Sequence, residues 1–232
     1  MFGLFRFDWT ILIVLPGLII SIWAQIKVST TYNKYSKVFT KRGITGAEAA
    51  RAILDANGLS YVKIERVRGH LTDHYDPRKN VIRLSDSVYG STSTAAVGVA
   101  AHEAGHAVQY SQDYFPIKIR GAVIPVSRFG SMLSIPLFFI GLIFYHEGLM
   151  LLGIILYATV ALFQLVTLPV EFNASARALR TLKSSGILAN DELSCAKKVL
   201  GAAAMTYVAA LLTSLLTLLR LLMLAGSRGN RR

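Results

Sequence analysis

Apolar residues gather into four long runs, at 9–26, 129–145, 149–170 and 199–219, and a long, more polar stretch at 27–119 separates the first run from the second. A helix needs about 20 apolar residues to cross a hydrocarbon core of about 30 Å. Each run is therefore expected to be a transmembrane helix. Trp9 and Trp23 lie near the ends of the first run, where interfacial anchors belong. A cleaved signal peptide is the competing reading of that run, but Arg6 is offset by Asp8 and no small-residue cleavage site follows, so an uncleaved anchor bent at Pro16-Gly17 is expected. The third run carries no charge, and the short turn His146-Glu-Gly148 makes the second and third runs an antiparallel hairpin. Arg128 can snorkel to the interface, and Arg220 interrupts the last run before the apolar residues 221–225.

The polar stretch has its own periodicities. Thr45 and Glu48 form a capping-box signature for a helix whose apolar stripe holds Ala49, Ala52, Ile53 and Ala56, with Gly58 as its stop. Alternation predicts strands at 61–67 and 80–85, separated by a turn signal at 75–79. The strand at 80–85 is expected to offer an open edge to an extended peptide. Residues 91–94 supply N-cap candidates for a helix ending near 110–113. A further polar helix with Arg177, Arg180 and Lys183 is expected after residue 171, broken at 184–186, with Asn190 or Asp191 capping the next one.

The chain thus reads as a mainly α integral membrane protein. About four transmembrane helices carry a cytoplasmic zincin-like α+β segment. Its expected parts are an anchor at 1–26, a soluble segment at 27–119, a transmembrane hairpin at 120–170, a second soluble segment at 171–198, and a final span with a basic tail at 199–232. Composition agrees, since 53% of the residues are hydrophobic. The net charge of +12 flanks the apolar runs rather than forming a nucleic-acid face, so lipid headgroups are the expected partner and nucleic acid is not. Lys27, Lys34, Lys37, Lys41 and Arg42 follow the first run directly, which places 27–119 in the cytoplasm and both termini outside. The tail residues Arg228, Arg231 and Arg232 conflict with that arrangement unless the last helix lies in the interface or turns back. The single cysteine, Cys195, excludes an internal disulfide and a cysteine-based zinc site.

The chemistry centres on His102-Glu-Ala-Gly-His106. On a helix, His102 and His106 share a face and Glu103 borders it. Two imidazoles can hold one divalent ion, zinc being the expected one, and Glu103 can take a proton from water polarised by the metal. The competing reading is an ordinary solvated helix face. It fails on the apolar flanks at 95–101 and 107–108, and on the placement here of two of only five histidines. Gly105 inside a helix costs about 1 kcal/mol relative to alanine, which makes sense if another backbone packs against it. No histidine follows at metzincin spacing, so the third ligand must be a distant carboxylate. Glu171, at the end of the third apolar run, meets that need. By itself it would also serve as an interfacial carboxylate marking the membrane boundary.

His102-Glu-Ala-Gly-His106, Leu168-Pro-Val-Glu-Phe-Asn-Ala-Ser175 and Leu71-Thr-Asp-His-Tyr-Asp-Pro77 together resemble the YugP family of bacterial membrane zinc metallopeptidases. More distantly they are similar to HtpX-like membrane proteases and the CAAX prenyl proteases. The resemblance covers nearly the whole chain. It implies a zinc-dependent endopeptidase of the bacterial plasma membrane, with one zinc per chain on His102, His106 and Glu171 and with Glu103 as base. Ser175 stands where the HtpX-like pattern has aspartate, so a ligand histidine would be oriented by a neutral hydrogen bond from Ser175 or Asn173. Tyr110, His70, His74 and Arg177 are candidate donors to the oxyanion, and His74 also reads as a simple turn residue. The expected partner is a peptide or protein substrate, membrane proteins included, and a homo-oligomer or a membrane partner is compatible with the spans. Three rival readings are a site-2-type intramembrane protease, a non-catalytic zinc-binding scaffold and a zinc transporter. No later span holds an aspartate for the first. The second needs no base at Glu103, and the third would need His or Asp within the spans.

Overall fold

The computed structural model describes residues 9–229. Arg6 and Asp8, which weigh against a signal peptide, and Arg231 and Arg232 of the basic tail lie outside the described residues. The fold is mainly helical with one small sheet. In chain order it runs α1 (Ile11–Tyr35), α2 (Gly46–Ala56), β1 (Lys63–Val67), β2 (His74–Asp76), β3 (Val81–Ser85), α3 (Asp86–Tyr89), α4 (Thr94–Ser111), α5 (Phe115–Ile143), α6 (Glu147–Ser184) and α7 (Asn190–Gly229). Among the described residues, α1, α5, α6 and α7 are long and apolar enough to cross a membrane.

The helices outrun the apolar runs that signalled them. Helix α1 continues past Ile26 through Lys27 and Lys34, and α5 takes in Lys118, Arg120 and Arg128. Helix α6 passes through Pro169 without a break, so Glu171 sits on the same helix as the third run rather than on a new one. Arg220 does not interrupt α7; its Nε donates to Thr10 Oγ1 at 3.3 Å. Hydropathy marks the part of a helix that suits lipid, whereas the helix itself ends only where capping or a left-handed residue stops it. The α5–α6 turn is residues 144–146, with Tyr145 at φ 58, and Glu147 and Gly148 already belong to α6.

The chain divides into two compact units. One comprises the described residues up to Trp23, Ile119–Thr167, and those from Thr206 on; the other comprises Ala24–Lys118 and Leu168–Met205. In the first unit, Phe138, Met150 and Leu221 form the buried cluster. A Cβ on Gly153 would meet Ser134 O at 2.7 Å and the Phe138 backbone, so only glycine allows α5 and α6 to approach this closely.

The second unit has a water-type core. Ala49, Ala50, Ile53 and Leu54 of α2, Ile82 and Leu84 of β3, the alanines of α4, and Ala178 and Leu182 of α6 form one buried cluster. The predicted capping box is present: Thr45 accepts from Glu48 N–H and the Glu48 carboxylate accepts from Thr45 N–H. Among the described residues the sheet has the order β1-β3-β2, with β3 parallel to β1 and antiparallel to β2. This corrects the expectation that residues 80–85 form an open edge. Strand β3 is paired on both sides, because residues 74–76, read as the start of a turn, are extended and pair with 81–83. The edge next to α4 belongs to β2. Its Tyr75 ring lies 5.7 Å from that of Tyr110 on α4, and burial pushes the Tyr75 hydroxyl up to about 12.

Candidate metal centre

Helix α4 is built to be buried. Ser93 caps it, its hydroxyl oxygen accepting from Ala96 N–H at 3.2 Å, and small residues cover most of its surface. The same economy of volume explains Gly105. A Cβ there would meet Ala174 O at 2.7 Å, so α4 and α6 touch backbone to backbone at this level. On α6, Glu171, Ala174, Ala178 and Leu182 recur at helical spacing on one buried face. Crossing that face against α4 at Gly105 sets Glu171 opposite the two histidines.

The result is a cluster in which ligand atoms of His102, His106 and Glu171 lie within 4.8 Å of one another. Glu171 Oε2 is 3.2 Å from His102 Nε2 and 3.6 Å from His106 Nε2, and the two rings meet edge to face with centroids 4.7 Å apart. Ligands about 2.0–2.1 Å from a tetrahedral ion stand about 3.3 Å from each other, so these spacings suit a small tetrahedral metal. For both Nε2 atoms to present lone pairs, the ring protons must sit on Nδ1, and each Nδ1 has an acceptor in place. His102 Nδ1 meets Ser175 Oγ at 3.1 Å, and His106 Nδ1 meets Gln109 Oε1 at 3.0 Å. The donor set therefore fits the ion that the sequence implies. Glu171 is 2% exposed, and so deep a carboxylate needs positive charge close by. Burial favours the neutral imidazole of His106, but the carboxylates of Glu171 and Glu103 outweigh it and hold its pKa above the ordinary histidine value.

Sequence reasoning missed Gln109, which is fully buried. Its Oε1 fixes the His106 tautomer, while its Nε2 donates to Val170 O at 2.8 Å and to Asn173 Oδ1 at 3.0 Å. Asn173 Oδ1 also accepts from Arg177 Nε at 2.7 Å; a second Arg177 N–H donates to Gln112 Oε1, and the guanidinium lies 5.7 Å from the Tyr114 ring centroid. The available signal was a glutamine three residues after a ligand histidine on an otherwise apolar helix. Asp73 was also missed, although it lies inside one of the quoted motifs. It accepts from Ser85 N–H at 2.7 Å and Ser85 Oγ at 2.9 Å. Burial raises its pKa, the Ser85 bonds work against that, and the charge of Glu103 adds to the rise.

The other candidates fall in different places. Ser175 orients His102, and Asn173 joins the Gln109 chain rather than touching a ligand. Tyr110 shares the Glu103 side of α4, seven residues on. His74 lies on β2, where its Nδ1 meets Thr72 O at 2.9 Å, and His70 packs edge-on against Tyr32. Neither belongs to the metal cluster. Among the described residues no side chain hydrogen-bonds Glu103.

A buried His-His-Glu cluster with an adjoining free carboxylate is the donor set of a metal-dependent hydrolase. Residues 10–226 match the family described as "Putative neutral zinc metallopeptidase", and the chain belongs to that family. It is 49% identical over 214 residues to the "Putative membrane protease YugP" of Bacillus subtilis (strain 168), a match covering 92% of this chain and 95% of that protein. No solved structure matches it.

Proposed function

We propose that this chain is a zinc-dependent endopeptidase of the bacterial plasma membrane, with a zincin-like soluble unit that hydrolyses peptide bonds at the cytoplasmic face. The observation that carries the reading is the convergence of His102, His106 and Glu171 beside an unpaired Glu103. Zinc, one per chain, would be held by the two Nε2 atoms and the Glu171 carboxylate, and when bound it supplies Lewis-acid chemistry that lowers the pKa of water to about 7. Glu103 accepts the proton from the attacking water and returns it to the leaving amine. Ser175 and Gln109 keep both histidines in the tautomer that coordinates. Tyr110 is the candidate donor to the oxyanion, because it shares the Glu103 side of α4. The lysines that follow the first span favour a cytoplasmic active site.

Strand β2 presents its unpaired side next to α4, so an extended peptide is expected to add there as a further strand. Peptides N-methylated at the amides that would pair with β2 should then show raised KM; identical KM with and without methylation removes this binding mode.

The deciding test compares wild type with Glu103→Gln in detergent, reading zinc content and peptide cleavage on the same samples. The expected result is full zinc with cleavage down by about 100-fold or more, the usual share of a general base. Cleavage that survives the change unaltered would assign the base elsewhere, and zinc without any cleavage in wild type would favour the scaffold reading.

A further inference from the structure

Within the same unit, a cleft of about 460 Å³ opens beside the α4–α6 contact, and none of the three ligand residues lines it. Gly105 contributes one wall, and Asn57, Arg177, Arg180, Thr181 and Ser184 surround the opening. Every charged side chain in this lining is a guanidinium. Among the described residues neither Arg177 nor Arg180 has a carboxylate partner; their acceptors are amide and main-chain oxygens, Asn173 and Gln112 for Arg177 and Ala176 O at 3.3 Å for Arg180. A guanidinium carries five N–H donors, so both keep donors to spare. A second cleft of about 310 Å³ adjoins Arg180 and repeats the pattern, its charged lining being Arg180, Lys183 and Lys197. Elsewhere on this unit exposed cations do find acids, as Lys41 with Asp191 and Arg66 with Asp86. The linings of these two clefts hold no acid.

We propose that the cleft bounded by Arg177 and Arg180 binds a phosphate-class anion, either a lipid headgroup phosphate or a free phosphate. Two forked guanidiniums a helical turn apart can each offer paired N–H groups to the same phosphate oxygens, the geometry that makes arginine the preferred phosphate ligand. Arg177 is also the outer end of the chain Arg177–Asn173–Gln109–His106, so an anion held there is linked through Asn173 to the glutamine that orients a metal ligand. Binding itself does not rest on the peptidase reading; only the link to the metal does.

The experiment uses the full-length zinc-loaded chain. In neutral detergent, inorganic phosphate is titrated against chloride of equal ionic strength, and the thermal unfolding midpoint is followed for wild type and Arg180→Gln. Arg180 lies outside the metal-orienting chain, so its substitution leaves zinc content unchanged and certifies a folded control. In parallel, both proteins are placed in nanodiscs of phosphatidylcholine alone or with phosphatidylglycerol. A phosphate-dependent rise in wild type, with the titration midpoint weakened about tenfold or more in Arg180→Gln, assigns a free anion. A rise seen only with phosphatidylglycerol and lost in Arg180→Gln assigns a lipid headgroup. Shifts equal in the two proteins, or no shift in either medium, overturn the proposal.

Discussion

The two units handle polar groups in opposite ways. In the unit containing α5 and the first part of α6, Phe129, Met132, Leu151, Ile155, Leu162 and Leu165 face outward, and several hydroxyls bond back to their own helix, as Ser127 to Ile124 O and Thr159 to Leu156 O, with Ser21–Thr213 and Arg220–Thr10 as side-chain bonds across helices. In the unit holding the metal cluster the aliphatic side chains are inside, and polar groups are satisfied across elements: His102 by Ser175, His106 by Gln109, Gln109 by Val170 and Asn173. Where lipid is the solvent, each helix must satisfy its own backbone, so fewer side-chain bonds tie one helix to another. Where a metal must be held, the ligands are interdependent, and each lost partner leaves another buried group unsatisfied. The first unit should tolerate polar changes poorly but locally. The second should pass changes in the groups that hydrogen-bond the histidines on to the metal.

The largest break is expected from Glu171→Ala, which removes the carboxylate that both Nε2 atoms face. Zinc affinity should fall by more than about 100-fold, since even indirect partners of a ligand are worth about 10–100-fold, and competition with a chromophoric chelator measures it. Retention of wild-type affinity would remove Glu171 from the ligand set. Next comes Ile155→Lys, on the exposed apolar face of α6, which should cost about 2.5–3.5 kcal/mol of membrane insertion in a glycosylation-reporter assay. The protein that does insert should still bind zinc normally; a weakened site would contradict the independence of the first unit. Gln109→Leu keeps the volume but strands His106 Nδ1, so zinc affinity should drop by about 10–100-fold while all three ligands stay in place. An unchanged affinity would make Gln109 a packing residue only. Smallest is Thr45→Ala, which removes the cap of α2 and should lower stability by about 1 kcal/mol, read from the denaturation midpoint with zinc stoichiometry unchanged.

Much of this was legible in the chain. The capping box at Thr45, the cap region at 91–94, the close approach at Gly105 and the ligand pair His102 and His106 are local, fixed by residues a few positions apart. Glu171 was reachable as well, because a three-ligand site needed a carboxylate and few stood at the right boundary. Helix ends were not, since an apolar run records contact with lipid and α1, α5, α6 and α7 all continue beyond it. Strand β2 was hidden because three residues beside Asp76-Pro77 carry a turn signal, and only their pairing with β3 makes them extended.

The sequence by itself determined most of the helices, the lipid-suited ones among them, and the candidate ligand residues, because these depend on composition and on spacings within one turn or one strand. Tertiary structure decided what those atoms do together. It brought Glu171 to His102 across 69 positions of chain, set Ser175 Oγ against the Nδ1 of one histidine and buried Gln109 as the acceptor for the other. It also put β3 in the middle of the sheet and left β1 and β2 as its edges. A hydrogen bond or a coordination sphere is a condition on distance in space, and only the crossing of α4 and α6 at Gly105 supplies that distance.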